Sequence, residues 1–236
     1  MHNLKKQGVL LIAAAVLIFS ACTSNEIGDS KDVSQDKIYQ SYDVSYSEGS
    51  ADAEVYCQFR FAGKNGTTLV LNKPSKIEVD GEEVKVDSSK YGGAYYQVDK
   101  PAGNFFGKHS LAFTSINDKK LTNTFSFDKF KLVNVPAAVS KKQSFDLNFE
   151  TTPLGADDYI EVGTTNADSS FSVTHNGSQK GNAITIPQKE LQRQKVKAIT
   201  LEATLYRKIA LQENTTEGGQ ISIKYTLKPV TIKLTD

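Results

Sequence analysis

The chain has 236 residues, with 28 Lys and Arg against 27 Asp and Glu, a formal net charge of +1. So even a balance gives no electrostatic case for nucleic acid or an acidic lipid surface as partner. Two cysteines exclude a disulfide-stapled scaffold, and three histidines without paired spacing exclude a zinc site; no metal and no cofactor is expected.

Taken in chain order, Lys5 and Lys6 precede an apolar run from Val9 to Phe19. That run fits the hydrophobic region of an export signal and falls short of the roughly 20 apolar residues a bilayer span needs. Small residues Ser20 and Ala21 follow, then Cys22. The stretch Phe19-Ser20-Ala21-Cys22 resembles the lipobox of bacterial lipoproteins, with Phe19 where Leu is usual. The resemblance implies cleavage after a signal peptide of residues 1–21, a diacylglyceryl group on the Cys22 sulfur and acylation (palmitate) of the new amino terminus. Membrane attachment through lipid on Cys22 is the partner so implied. Thr23, in place of Asp after the cysteine, resembles the sorting pattern that sends lipoproteins of Gram-negative bacteria to the outer membrane. Glu26 and Asp29 are similar to the acidic surface-export signal of Bacteroidota lipoproteins. The localisation implied is the outer membrane, on its periplasmic or cell-surface side.

Without its signal the chain keeps 215 residues and a net charge of −1, ample for two domains of about 100 residues. With Cys22 acylated, Cys57 has no disulfide partner, so packing must supply the stability. Residues 22–36 hold two aliphatic side chains and no aromatic, and read as a lipidated flexible tether.

From Lys37 the hydrophobic period is two. Tyr42, Val44 and Tyr46 alternate with polar residues, as do Ala53, Val55, Cys57, Phe59 and Phe61, which predicts half-buried strands. Asp80-Gly81 between apolar alternations predicts a two-residue hairpin, and Asn117-Asp118 another. Seven or eight short strands without a helix predict a first β-sandwich over residues 37–127. The pattern restarts in residues 128–236: alternating strands, a short helix at residues 187–192, a long strand around Ile199–Leu205, and closing strands after Gly218-Gly219. Pro229 predicts an edge in the last strand. A linker of residues 126–130 without Gly or Pro predicts a stiff two-domain rod, its second domain farther from the membrane. The fold class expected is all-β: two tandem immunoglobulin-like β-sandwiches after a cleaved lipoprotein signal and a tether. The order Gly66-Thr67-Thr68-Leu69, Pro74-Ser75-Lys76-Ile77 and Asp80-Gly81, with Ile184-Thr185-Ile186-Pro187 in the second half, resembles uncharacterised two-domain lipoproteins of Bacteroidota. That resemblance implies a fold and a cell-envelope home and carries no catalytic residue.

Chemistry-bearing residues are sparse. Cys57 sits in the inward set of its strand and reads as core. Asp157, Asp158 and Asp168 offer oxygen ligands without a repeated calcium loop. No nucleophile elbow, phosphate loop or dinucleotide fingerprint occurs; a Ser–His–Asp triad or a carboxylate pair assembled in space stays open. The basic run Lys189, Arg193, Lys195 and Lys197 reads as a solvated face. Tyr91, Tyr95, Tyr96, Phe105 and Phe106, interleaved with glycines, are the candidate ligand-binding cluster, able to stack on a sugar or anchor a protein; the competing reading is that Tyr96 and one of the phenylalanines are core. The function expected is a non-enzymatic, lipid-anchored binding or scaffolding protein of the cell envelope. The alternatives are a glycan-binding accessory lipoprotein, or a subunit of a surface fibre that donates residues 230–234.

Overall fold

The computed structural model describes residues 26–89, 92–164 and 169–236. The first half contains β1 (Ile27–Asp29), β2 (Ile38–Ser47), β3 (Asp52–Phe61), β4 (Thr67–Val70), β5 (Lys76–Val79), β6 (Glu82–Glu83), β7 (Val86–Ser89), β8 (Gly93–Pro101), β9 (Gly107–Thr114) and β10 (Lys120–Phe127). One layer runs β2-β3-β8-β7 and the other β10-β9-β5-β6. These are the A-B-E-D and G-F-C-C′ layers of an immunoglobulin-like sandwich. The alternation seen in the sequence does this directly: Tyr42, Val44, Val55, Cys57 and Phe59 point between the layers and are all but fully buried. Asp80 and Gly81 close the β5–β6 hairpin with φ of 53° and 84°, the backbone that makes an Asp-Gly pair fit a tight turn.

The second half contains β11 (Lys131–Val133), β12 (Ala138–Ser140), β13 (Phe145–Glu150), β14 (Tyr159–Thr164), β15 (Ser172–Asn176), β16 (Ala183–Ile186), α1 (Gln188–Gln192), β17 (Ala198–Ala210), β18 (Gly219–Thr226) and β19 (Val230–Thr235). Its layers are β11-β13-β16 and β18/β19-β17-β14-β15, again the immunoglobulin-like order, with β12 parallel to β19. β18 and β19 are one long strand: both pair with β17, and the register steps by one residue between Thr226 and Val230. That step is a β-bulge, and it holds Pro229. Beside Pro229, Val230–Ile232 pair with β17 alone, and β12 covers the other side only from Lys233 to Thr235, so the expected edge is confined to the start of β19.

The two sandwiches lie side by side. β18 pairs in parallel with β2, from Gly219 opposite Gln40 to Thr226 opposite Ser47, so one sheet runs β7-β8-β3-β2-β18-β17-β14-β15 through both halves. A Cβ on Gly219 would stand 2.2 Å from the Gln40 carbonyl oxygen, so this approach needs glycine. A second seam faces it. The β10 edge is covered by residues 211–214, where fully buried Asn123 accepts the backbone N–H groups of Gln212 and Glu213 at 2.7 and 3.0 Å and donates to the Glu213 carbonyl at 2.9 Å. Between the seams, Tyr225 meets Tyr46, Phe106, Phe127 and Phe130 with ring centroids 5.1–6.2 Å apart. The stiffness expected of the linker comes instead from two strand edges, and the expected end-to-end rod gives way to two domains abreast.

The tether expectation also changes. Ile27–Asp29 adds to β4 as a parallel strand, Ser30 is fully buried, and its hydroxyl accepts the Asn72 N–H at 2.9 Å. Asp29 accepts the Asn72 side-chain amide at 3.0 Å. A segment too polar to order itself is ordered by hydrogen bonds to a partner far along the chain.

Candidate binding face

The aromatic cluster expected from the sequence does not assemble. Cys22 and Tyr91 lie outside the described residues. Tyr95 and Tyr96 are consecutive in β8, so their side chains leave on opposite faces. Tyr96 is core: its ring packs edge-on to Phe59, and its hydroxyl accepts the Leu71 N–H at 2.6 Å. Burial pushes its phenol up to about 12. Phe105 is buried against His109 and Phe127, and Phe106 lies in the seam with Lys129 5.5 Å above its ring. As a ligand site the cluster is thus corrected to one surface residue, Tyr95, among described members; packing claims the others.

The acid–base candidates are occupied by structural tasks. His109 Nδ1 lies 2.8 Å from Asp80 Oδ2, the pairing that orients a catalytic imidazole, but its Nε2 faces the Phe105 carbonyl oxygen at 2.6 Å instead of a hydroxyl. His175 is buried edge-on to Phe149. Asp158 is buried and accepts the N–H groups of Gly155 and Lys208, with the Arg207 guanidinium 3.5 Å away. Cys57 is fully buried, and desolvation pushes its thiol far above the ordinary range, which suppresses the thiolate. Among the described residues no group of three or more His, Cys, Asp or Glu could hold a metal ion.

What the fold does assemble is the outer face of the continuous sheet. Register lines up Asp99, Glu54, Ser45, Lys224, Tyr206 and Tyr159 in one cross-strand row that spans both domains. A second row runs Gln97, Tyr56, Asp43, Ser222 and Lys208. Two stacked tyrosine pairs stand on this face: Tyr56 with Tyr95 at 5.1 Å and Tyr159 with Tyr206 at 4.6 Å. Over the seam, Asp43, Ser45, Tyr159, Tyr206, Lys208 and Lys224 line a shallow groove of about 310 Å³. Desolvation by its neighbours on this face raises the Asp43 carboxyl above its ordinary value, against hydrogen bonds from Ser222 and Ser41. Desolvation also raises the Tyr206 phenol. Among the described residues, Asp43, Glu54, Asp99, Glu161, Glu202, Lys208 and Lys224 form no ion pair with one another or elsewhere. Stiff aromatic area beside charges of both signs, hydrogen-bonded in part but outside any ion pair, suits recognition of a partner surface. Strand alternation in the sequence could have flagged each of these side chains as outward; only the non-local β2–β18 pairing puts them on one plane.

No family model matches the chain, and no curated protein matches it. Among solved structures it is similar to DIP-gamma IG1+IG2, at 12% identity over 84% of this chain and 95% of that one, with a TM-score of 0.22. Similar too is Dpr11 IG1 bound to DIP-gamma IG+IG2, at 11% identity over 83% and 96%, also with a TM-score of 0.22. At that score neither superposition carries weight, and the fold class stands on strand order and register.

Proposed function

We propose that this chain is a lipid-anchored protein of the bacterial outer membrane that binds or scaffolds another envelope protein, without catalysing a reaction. The observation that carries the binding role is the outer face of the shared sheet, with its two tyrosine stacks and unpaired charges continuous across both domains. The anchor rests on the residue order Lys5-Lys6, the apolar run to Phe19, and Ser20-Ala21-Cys22. Several acyl chains hold a protein at a bilayer far more firmly than one. The glycan alternative loses its support where Tyr96 and Phe105 turn inward. The fibre alternative would require the last strand to leave β17, which pairs with Val230–Lys233, and β12, which pairs with Lys233–Thr235.

Two measurements test this. Cys22→Ser is expected to move the protein from the membrane to the soluble fraction and to abolish palmitate labelling; a variant that stays membrane-bound refutes the anchor. A photo-crosslinking amino acid at Tyr206 or Tyr95 in living cells is expected to give a discrete protein adduct, and one at Asp146, on the opposite layer, none. Equal labelling at all three positions removes the outer face as the binding surface.

A further inference from the structure

The place where the chain enters the folded body fixes more than an address. Ile27 is held opposite Thr68 at the start of β4. From Cys22 to Ile27 there are five residue steps, which reach about 18 Å at full extension. A lipid on Cys22 therefore keeps that end of the sheet close to the bilayer.

Topology says what else is at that end. β3 finishes there, with Phe61 opposite Ile38 at the start of β2. β18 starts there in parallel, with Gly219 opposite Gln40, and β17 finishes there, with Ala210 opposite Gln220. The loop of residues 62–66 in the first domain and the loop of residues 211–218 in the second thus share one pole. Both loops are tied to the start of β2: Lys37 pairs with Glu217 at 2.9 Å, Thr215 donates to the Ile38 carbonyl at 2.6 Å, and the Ala62 N–H donates to the Lys37 carbonyl at 2.8 Å. The opposite pole carries the β2–β3 turn and the bulge, where the Lys228 N–H meets the Glu48 carboxylate at 3.0 Å. The ten residues of β2 separate the poles by about 33 Å. Exposed Lys64, Asn65, Asn214 and Thr216 make the near pole hydrophilic, suited to a hydrated headgroup layer. Ile27, one of three exposed large hydrophobic residues among those described, stands at the entry point itself.

We infer that the pole formed by residues 62–66 and 211–218 faces the phospholipid headgroups, so that both domains stand abreast on the membrane and the outer sheet face is held upright, at right angles to it. This deepens the anchored reading above and rests on it. It also displaces the expectation that the second domain lies farther out.

The chain has no tryptophan, which makes single-tryptophan variants informative. Asn65→Trp and Ser50→Trp place the probe at the near and far poles. Each lipidated protein is reconstituted in phosphatidylcholine vesicles with dansyl-labelled lipid headgroups, and energy transfer is read. Transfer at least threefold stronger from position 65 than from position 50 is expected; equal transfer, or the reverse order, overturns the inference. A second arm starts from a chain beginning at Cys22, coupled through that thiol to maleimide-bearing vesicles, where buried Cys57 does not compete. If the native protein proves unlipidated, the anchored reading fails, while this arm still decides the geometry. A flexible 15-residue insertion after Asn25 is expected to abolish the difference; a difference that survives it is set by something other than the short stem and overturns the inference.

Discussion

At Tyr96 the consequences of turning inward can be measured. Its hydroxyl is the partner of a part-buried N–H at Leu71. Tyr96→Phe strands that donor and is expected to cost about 1–2 kcal/mol at neutral pH, read from denaturant midpoints. Alkaline pH probes the same residue. Burial holds the phenols of Tyr96 and Tyr225 up at about 12 and that of fully buried Tyr42 well above the ordinary value. In the unfolded chain these groups ionise near 10. A raised folded-state value favours the neutral phenol, so the stability is fully present below pH 10 and is lost as pH climbs from about 10 toward 12. The Tyr96→Phe protein, with one such group fewer, should start lower and decline less steeply; a parallel decline in both proteins would deny the burial.

Among the elements, β10 shows how the second domain completes the first. Its outer edge is a row of donors and acceptors that would template association if left bare. Asn123 and the main chain of residues 212–213 close it, helped by hydrogen bonds from the Thr124 N–H to Gln212 and from Gln212 to the Thr124 carbonyl at 2.7 and 3.2 Å. Asn123→Ala leaves two N–H groups and one carbonyl without partners in a part-buried seam, an expected loss of about 2–3 kcal/mol. Because both seams join one body, the wild-type protein should unfold in a single calorimetric transition and Asn123→Ala at lower temperature. A wild-type curve with two well-separated peaks would mean the seams do not couple the domains.

Over the whole molecule, the limits of sequence reading follow the range of the interactions. Local chemistry was legible: Asp80-Gly81 marks its own turn, Cys57 follows from the alternation of its strand, and Pro187 opens α1. What failed was set by partners distant in sequence. Ser30 looks like tether until Asn72 is beside it, and Gly219 looks like a turn residue until β2 presses against it. Period two places Tyr95 outward and Tyr96 inward, so the competing reading of Tyr96 as core is the one the structure bears out. The outer face of the shared sheet was illegible for the same reason, since its two rows exist only where a strand of one domain pairs with a strand of the other.

The direction of β1 and β2 within that sheet has a mechanical meaning. A partner held on the outer face and a lipid on Cys22 would pull the protein along its strands. β1 lies parallel to β4, and β2 parallel to β18, over three and eight residue pairs. Tension applied along such ladders loads their hydrogen bonds together in shear, where peeling a hairpin would load them one at a time. Under the proposed anchoring, such a join would bear the load as a strap bears it, across its full width.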